Sequence, residues 1–414
     1  MKRRVVVTGM GLVSPVGNTV EESFNNLVAG KNGIDFITAY DTTNWKVKVA
    51  GEVKNINFEE FIDKKEIRRA DRVTNLALVA THEAYTQAQL EGADINRKRF
   101  GTFIGSGIGG LTTIFDEVKT CVIRGQDRIS PFFIPNSIIN LIGAKVGIRY
   151  QAYGPNLPQV TACSAATNSI GEAFRYIRDG YLEIAIAGGA EAPINELGVG
   201  GFTSLRALNF SNDPEVASVP FDTRRSGFVI AEGAGILILE EYEHAKRRNA
   251  PIIAEMVGYG TTSDAFHMTS PDDSAKGIEE CLRIAIDDAQ IKPNQIGYIN
   301  AHGTSTVLND KLETLGIKKA FGDAAYQANI SSTKSMTGHA LGAAGAIETI
   351  TVIKALQTGL IPPTIHLDQP DPECDLNYTP HVFVKRDLEY AMNINIGFGG
   401  QNAAIIFKKV NEHE

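Results

Sequence analysis

Short apolar runs rich in β-branched residues recur along the chain, with glycines near their ends. They span 4–8, 102–104, 159–162, 184–187, 236–239, 252–257, 297–300, 393–396 and 403–407. Runs of this length and composition are typical of buried strands. Helical patterns separate several of them, and strands that alternate with helices indicate a layered α/β fold.

The clearest helical pattern follows residue 163. Ala166, Ile170, Ala173, Phe174 and Ile177 are spaced by three and four residues. This spacing places the apolar side chains on one stripe, which predicts a helix packed against a sheet.

A weak internal repeat indicates two related halves. The segments 161–166 and 331–340 each read as a strand, a tight polar turn and a helix opened by small residues. A charged helix predicted over 240–249 ends shortly before Pro251, where a strand restarts. We therefore predict an N-terminal half over 1–250 and a C-terminal half over 251–414. Without a Pro/Ser-rich linker, the halves should pack against each other.

Composition excludes several classes of protein. The 414 residues are 43% apolar and 21% charged, which supplies a large core and argues against disorder. A net charge of -8 argues against nucleic acid as the main ligand. No run approaches the roughly 20 apolar residues of a membrane span, and Gly9 comes too early for a signal peptide. We expect a cytoplasmic protein with neither a nucleic-acid nor a membrane partner.

Cys163 is the strongest candidate nucleophile. The four cysteines are too widely spaced for a zinc site or a disulfide framework. Cys163 follows the predicted strand and opens a helix of small residues, where unpaired N–H groups and the helix dipole favour a thiolate. Taken alone, this segment also fits an inert buried cysteine, the interpretation we give to Cys121, Cys281 and Cys374.

Two of the eight histidines are placed for chemistry. His302 ends a predicted strand in the sequence NAHGTST, and His339 lies in TGHALGAAG. Neighbouring glycines leave each imidazole room for a ligand, which suits general acid–base or hydrogen-bond-donor work. Each histidine alone fits a structural role as well. Together with Cys163, the catalytic interpretation is favoured.

Glycine-rich segments occur in two places. Gly397, Gly399 and Gly400 surround Phe398 between two predicted strands, and such a loop can aim backbone N–H groups at an oxyanion, although alone it also fits an ordinary hairpin. Near the N-terminus, GMGLVS resembles a dinucleotide-binding fingerprint, but Ser14 replaces its third glycine and a proline follows. We therefore expect no Rossmann cofactor site.

One segment is basic although the net charge of the chain is negative. Lys65, Arg68, Arg69 and Arg72 follow helical spacing, which predicts one basic stripe. Such a stripe is usually a solvated helix face, and it also fits a docking site for an acidic protein.

Four motifs together resemble those of the elongating β-ketoacyl-acyl-carrier-protein synthases, most closely the synthase II type of bacterial fatty-acid synthesis. They are TACS at 161–164, NAHGTST at 300–306, SSTK at 331–334 with GH at 338–339, and GFGG at 397–400. The resemblance covers essentially the whole chain. It implies the thiolase-like fold, with two related βαβαβαβ-type halves in a five-layer αβαβα arrangement.

The resemblance also implies an acyltransferase that performs a decarboxylative Claisen condensation. Cys163 would take an acyl chain from an acyl carrier protein (ACP), and malonyl-ACP would then lose carbon dioxide and extend that chain by two carbons. His302 and His339 would hydrogen-bond the developing enolate, and the N–H groups of Cys163 and Phe398 would hold the other oxyanion. No free cofactor and no metal is implied, since phosphopantetheine arrives on the carrier protein.

Further roles are implied residue by residue. Lys334 and Glu348 would lie beneath the site, orient His339 and set its charge state, and Asp310 and Glu313 would form an acidic pair near His302. The expected substrate contacts are Thr269, Thr304 and Thr306 for phosphopantetheine, Phe202 and Phe398 with Gly399 and Gly400 for the gating loops, and Ile108, Phe133 and Ile134 for an acyl pocket at a homodimer interface. The expected carrier-protein docking residues are Lys65, Arg68, Arg69 and Arg206.

Departures from the family pattern concern substrate range rather than chemistry. They are Val307, the lead 394–396 into Gly397, and Gln401. The alternatives are a polyketide ketosynthase and a catalytically silent chain-length-factor-like subunit, against which the retained Cys163 argues. A thiolase would need a second cysteine where Phe398 stands, and an initiating synthase would pair its cysteine with histidine and asparagine.

Overall fold

A computed structural model of the chain describes residues 2–410. The strands are β1 (Val5–Val13), β2 (Asp35–Phe36), β3 (Val49–Ala50), β4 (Phe100–Gly105), β5 (Ile184–Glu191), β6 (Gly233–Glu241), β7 (Ala254–Ser263), β8 (Ile296–Asn300), β9 (Asn329–Ser331), β10 (Leu360–Ile361), β11 (Val384–Lys385), β12 (Tyr390–Gly397) and β13 (Gln401–Lys408). The helices are α1 (Val20–Val28), α2 (Lys64–Ile67), α3 (Arg72–Gln87), α4 (Leu111–Arg124), α5 (Phe133–Ser137), α6 (Asn140–Tyr150), α7 (Ala165–Arg178), α8 (Glu196–Ser204), α9 (Tyr242–Arg247), α10 (Lys276–Ala289), α11 (Val307–Phe321), α12 (Lys334–Thr337) and α13 (Ala344–Thr358). Eight of the nine predicted strands are therefore confirmed.

The main sheet joins strands from both parts of the chain. Its order is β4-β5-β6-β1-β7-β13-β12-β8-β9, and β1 pairs antiparallel with β7 where the two parts meet. On one side of this junction the parallel pair is β4 with β5, and on the other side β8 pairs in parallel with β12 and β9. Two small sheets pair β2 with β3 and β10 with β11.

Helices form three layers around the sheet. The helices α7 and α13 pack against each other and contact strands from both parts of the sheet. The outer face of the first part is covered by α3 and α6, and that of the second part by α10. The molecule therefore has the predicted αβαβα layering.

The predicted helix after residue 163 is α7, and its apolar stripe is buried. Ile170, Phe174 and Ile177 are each at most 3% exposed. Burial of a large apolar side chain contributes about 1.5–3 kcal/mol, so this stripe alone fixes the helix firmly in the central layer.

The predicted strand over 159–162 is wrong. Asn156 makes one isolated parallel bridge to Thr102, and the chain then leaves the sheet edge. Pro158 has no N–H to donate to a ladder, and Val160 is 52% exposed. The segment therefore reaches Cys163 without strand pairing.

The predicted continuous basic stripe is also wrong. The helix α2 ends at Ile67, and the side chain of Asp71 caps a new helix, α3, by accepting from the Val73 N–H. Arg72 turns inward and makes a two-pronged ion pair with Glu232 at 2.6 and 2.7 Å. Only Lys65, Arg68 and Arg69 stay on the surface.

The proposed boundary between residues 250 and 251 falls in the loop between α9 and β7. The predicted helix over 240–249 is shorter than expected because Glu240 and Glu241 complete β6. The division into halves stays a prediction. Within residues 2–410, no helix has both the length and the apolar character that spanning a bilayer requires.

Candidate active site

A tight turn holds Cys163 at the start of α7. The 3-10 turn Ala162–Ser164 leads directly into the helix, and Ala162 has a φ of 48°. The same arrangement recurs before α13, where the turn Leu341–Ala343 begins at a φ of 45°. A similar turn and helix therefore recur, but at 341–343 rather than within the predicted segment 331–340, and the residue that corresponds to Cys163 is Gly342. Left-handed backbone is costly for a residue with a side chain, and such strain is typical of functional sites.

The Cys163 thiol meets a histidine and two backbone donors. Its Sγ lies 3.0 Å from Nε2 of His339. Burial raises the pKa of the Cys163 thiol to about 12, although Lys334 and the N–H groups of Phe398 and Cys163 oppose this shift. Loss of solvation therefore opposes the thiolate that the start of the helix is expected to favour. Nε2 of His339 is the nitrogen placed to accept the thiol proton.

The two histidines lie side by side. Their ring centroids are 5.2 Å apart with the rings nearly perpendicular, and each residue is 2% exposed. Burial, followed by the charge of Lys334, lowers both pKa values well below the usual range. Both imidazoles are therefore neutral at neutral pH, which leaves each with one donor and one acceptor nitrogen.

The buried Lys334–Glu348 ion pair beneath the site contacts His302 rather than His339, the histidine expected. Lys334 Nζ binds the carboxylate of Glu348 and lies 3.4 Å from Nδ1 of His302. The Nδ1 atom of His339 has no hydrogen-bond partner among the described residues. The expectation that this pair orients His339 is therefore wrong, because Lys334 lies on the His302 side, although the charge of Lys334 does help to lower the pKa of His339.

The two carboxylates expected near His302, Glu313 and Asp310, bind different backbone groups. Glu313 accepts from the backbone N–H groups of His302 and Gly303 at 2.6 and 2.8 Å, so it fixes the loop after β8. Burial raises the pKa of Glu313 to about 8. Asp310 instead accepts from the Phe221 N–H at 2.9 Å and makes no hydrogen bond to His302 within the described residues.

The GFGG segment forms the turn between β12 and β13. Gly399 and Gly400 have φ angles of 84° and 68°, which residues with side chains rarely adopt. At Gly397 a β-carbon would lie 2.7 Å from the Thr161 carbonyl oxygen and 3.3 Å from the Cys163 nitrogen. Glycine here lets the turn approach the nucleophile and brings the Phe398 N–H to the sulfur.

A cavity of about 600 Å³ opens over these groups. Among its lining residues are most of the predicted site residues, namely Cys163, His302, His339, Phe398, Gly400, Thr269, Thr304, Thr306, Phe202, Ile108 and Arg206. An apolar chain and a polar arm could therefore enter one cavity and meet the sulfur.

Some predicted residues lie elsewhere. Phe133 and Ile134 are on α5, outside the cavity lining, and Ile134 is 58% exposed. Gly399 stands on the turn and donates its N–H to the Met268 carbonyl instead of lining the cavity. Lys65, Arg68 and Arg69 lie on the surface.

Glu191 is a site residue that the sequence interpretation missed. It is fully buried at the end of β5 and accepts from Ser106 Oγ and from the N–H groups of Gly107, Ile108 and Gly342, at 2.6–3.1 Å. It thus ties the cavity wall to the turn before α13. A carboxylate at the end of an otherwise apolar strand was the available signal.

Cys163 Sγ and one nitrogen of each histidine lie within 4.8 Å of one another, a spacing that a metal ion could use. The Lys334 ammonium 3.4 Å behind His302 would repel a divalent cation there. The donor set therefore suits proton and hydrogen-bond chemistry better than metal binding.

Comparisons with known proteins find relatives that match nearly the whole chain. The model of the β-ketoacyl synthase N-terminal domain matches residues 2–245, and that of the C-terminal domain matches residues 253–368. A curated 3-oxoacyl-[acyl-carrier-protein] synthase 2 from Staphylococcus aureus is 48% identical over 407 residues, which cover 98% of each chain. A protein of the same name from Synechocystis is 46% identical over 409 residues, covering 99% of this chain and 98% of its own.

Solved structures show the same architecture. A β-ketoacyl synthase from Burkholderia phymatum superposes with a TM-score of 0.92 at 34% identity, covering 99% of this chain and all of that one. A type II polyketide ketosynthase, solved in complex with its acyl-carrier protein and bound to the hexaketide, gives a TM-score of 0.91 at 35% identity with the same coverage. The thiolase-like fold inferred from the motifs is thereby confirmed. The chain belongs to the β-ketoacyl synthase family.

Proposed function

We propose that the protein elongates fatty-acyl chains by decarboxylative Claisen condensation between an acyl group on Cys163 and malonyl-ACP. The observation that carries this proposal is the 3.0 Å contact between Cys163 Sγ and His339 Nε2, with His302 beside it in one cavity. The relatives at 46–48% identity, named 3-oxoacyl-ACP synthase 2, support it.

In the first half-reaction, the sulfur attacks the thioester carbonyl of acyl-ACP. His339 accepts the thiol proton at Nε2 as the carbon–sulfur bond forms. The N–H groups of Cys163 and Phe398 stabilise the tetrahedral oxyanion. The intermediate expels the carrier thiolate, which takes the proton and leaves as free ACP.

In the second half-reaction, malonyl-ACP enters the same cavity. Its carbon–carboxylate bond breaks to release carbon dioxide, and the electron pair forms an enolate whose oxygen accepts hydrogen bonds from His302 and from His339, whose neutral ring must carry its proton on Nε2 by this stage. The enolate carbon attacks the acyl carbonyl on Cys163. Collapse of that adduct expels the Cys163 thiolate, which takes up a proton from solvent to restore the thiol, and gives β-ketoacyl-ACP that is two carbons longer.

The cavity lining accommodates the two parts of the substrate. Thr269, Thr304 and Thr306 offer polar atoms for the phosphopantetheine arm, while Ile108 and Phe202 form an apolar wall for the chain. Phosphopantetheine arrives on the carrier protein, so we propose that no free cofactor is required.

We propose a homodimer because several apolar side chains on α4, α5 and α6 are exposed. Val122 and Ile123 on α4 are 80% and 69% exposed, Ile148 on α6 is 78% exposed, and Ile134 on α5 is 58% exposed. Exposed apolar residues in such number are typical of protein interfaces. In a dimer, Phe133 and Ile134 would close the end of a neighbouring acyl pocket.

Lys65, Arg68 and Arg69 offer positive charge to an acidic carrier protein, and Arg206 at the cavity mouth lies where the phosphopantetheine arm would enter.

The absence of a spanning helix among the described residues is compatible with action in the cytoplasm, which we propose.

The test is intact-protein mass spectrometry with a series of acyl-ACPs, followed by malonyl-ACP. We expect an acyl adduct on Cys163 that malonyl-ACP discharges, with a β-ketoacyl product two carbons longer. Cys163→Ala should form no adduct, whereas Cys121→Ala, which changes a cysteine outside the cavity lining, should behave as wild type.

Three other results would reject the proposal. An adduct only with acyl-coenzyme A would indicate a thiolase. No adduct would indicate a silent subunit. Repeated extension to a poly-β-keto chain would indicate a polyketide ketosynthase, the second candidate, which the fold match to a hexaketide-bound ketosynthase favours.

A further inference from the structure

Asn395 occupies a buried position behind His302. It lies on β12 within the 394–396 segment, whose departure from the family pattern we expected to affect substrate range. Its side chain is 0% exposed and does not line the cavity, whereas the next residue, Ile396, does. Asn395 therefore cannot select the acyl chain by contact.

The hydrogen-bond network fixes the orientation of the Asn395 amide. Its Oδ1 accepts from Thr167 Oγ1 at 2.5 Å and from Asn393 Nδ2 at 3.0 Å. Its Nδ2 donates to Glu348 Oε2 at 2.7 Å. A flipped amide would set oxygen against a carboxylate and NH₂ against another NH₂, so only this orientation satisfies the partners.

This orientation aims a donor at His302. Asn395 Nδ2 lies 3.4 Å from His302 Nδ1, and Lys334 Nζ lies 3.4 Å from the same atom. An ammonium and an amide NH₂ cannot accept a hydrogen bond. The Nδ1 atom of His302 must therefore be the acceptor, which places the proton of the neutral ring on Nε2.

We propose that Asn395 is a positioning residue that, together with Lys334, holds the proton of His302 on Nε2, the nitrogen left to face substrate. The catalytic consequence rests on the proposed condensation, because an enolate oxygen requires a donor there. Without the amide, Lys334 is the one remaining donor to His302 Nδ1 among the described residues, so a ring protonated on Nδ1 is less disfavoured. The ring would then present an acceptor to the substrate.

The test compares Asn395→Leu and Asn395→Ser with Thr349→Val. Thr349 is a matched control because its buried hydroxyl bonds Gly345 O and Asn393 Nδ2, one step from Asn395. The tautomer is read from ¹⁵N NMR of histidine-labelled protein, with the His302 signals identified by their loss in His302→Gln. Acylation of Cys163 and decarboxylation of malonyl-ACP are measured separately.

We expect wild-type His302 to be protonated on Nε2 and both Asn395 variants to gain the Nδ1-protonated form. Decarboxylation and condensation should fall about ten- to a hundredfold rather than vanish, since Lys334 still disfavours the movement of the His302 proton to Nδ1. Acylation, in which His302 has no proposed role, should change less than about threefold. Thr349→Val should change none of the three. If Asn395→Leu does not fold, Asn395→Ser decides.

A wild-type Nδ1 tautomer, or an unchanged tautomer in the variants, would overturn the proposal. Equal losses of acylation and condensation in the Asn395 variants and in Thr349→Val would also overturn it, since they would indicate a general packing role. If the wild-type protein fails to condense malonyl-ACP, the proposed function falls, while the NMR result still decides the tautomer.

Discussion

Replacing Glu191 should weaken the fold in proportion to the donors that it satisfies. Glu191→Leu leaves four buried donors without an acceptor. Each such donor costs about 1–3 kcal/mol, so the variant loses roughly 4–12 kcal/mol. This loss approaches the whole free energy of unfolding of a typical native protein, roughly 5–15 kcal/mol. We expect little or no soluble protein.

Glu191→Gln should be much milder. Its carbonyl can keep two donors, and if its NH₂ faces Ser106 and Ile108, the serine hydroxyl can rotate to accept. Only the Ile108 N–H then lacks a partner, at about 1–3 kcal/mol. Loss of the negative charge also removes one cause of the raised Cys163 pKa, so alkylation of the thiol should become faster.

Glu83→Leu is the matched control for the leucine variant. Glu83 is a half-buried glutamate that accepts from two backbone N–H groups, those of Leu12 and Val20. Its loss should cost about half as much, roughly 2–6 kcal/mol. Soluble yield and thermal melting followed by circular dichroism rank the variants. The reasoning is refuted if the melting temperature of Glu191→Leu lies within a few degrees of wild type, or above that of Glu83→Leu.

Three further predictions concern the chemistry and the carrier protein. His302→Ala and His339→Ala should still acylate Cys163, the latter more slowly, but lose condensation by about a hundredfold or more in product assays; full condensation by either would contradict its role. Because burial raises the Cys163 pKa to about 12, alkylation by iodoacetamide should accelerate about tenfold per pH unit from pH 6 to 9, and a plateau below pH 8 would show a stabilised thiolate instead. Lys65→Glu with Arg68→Glu should reduce kcat/KM for ACP substrates at least tenfold, less so at high salt, and leave short pantetheine mimics unaffected; equal losses for both would remove the docking proposal.

Local sequence predicted the elements that local physics controls. The apolar runs gave eight strands at nearly their observed positions because a buried strand needs β-branched residues over a short span. The stripe from Ala166 to Ile177 predicted α7 for the same kind of reason. The predictions failed where one residue overrode a pattern, at Pro158 in the expected strand and at the Asp71 cap inside the expected basic helix.

The sequence by itself determined the family and the layered α/β class and pointed to the three residues that we propose to react, since these follow from motifs and from short-range periodicity. Only the tertiary structure decided which groups touch. Cys163 meets His339 from 176 residues away, and Lys334 contacts His302 rather than His339. Glu191 and Asn395 gained their roles in the same way. Such contacts depend on strand order, register and helix packing across the two parts of the sheet, and these are set by the burial of the whole core rather than by neighbours along the chain.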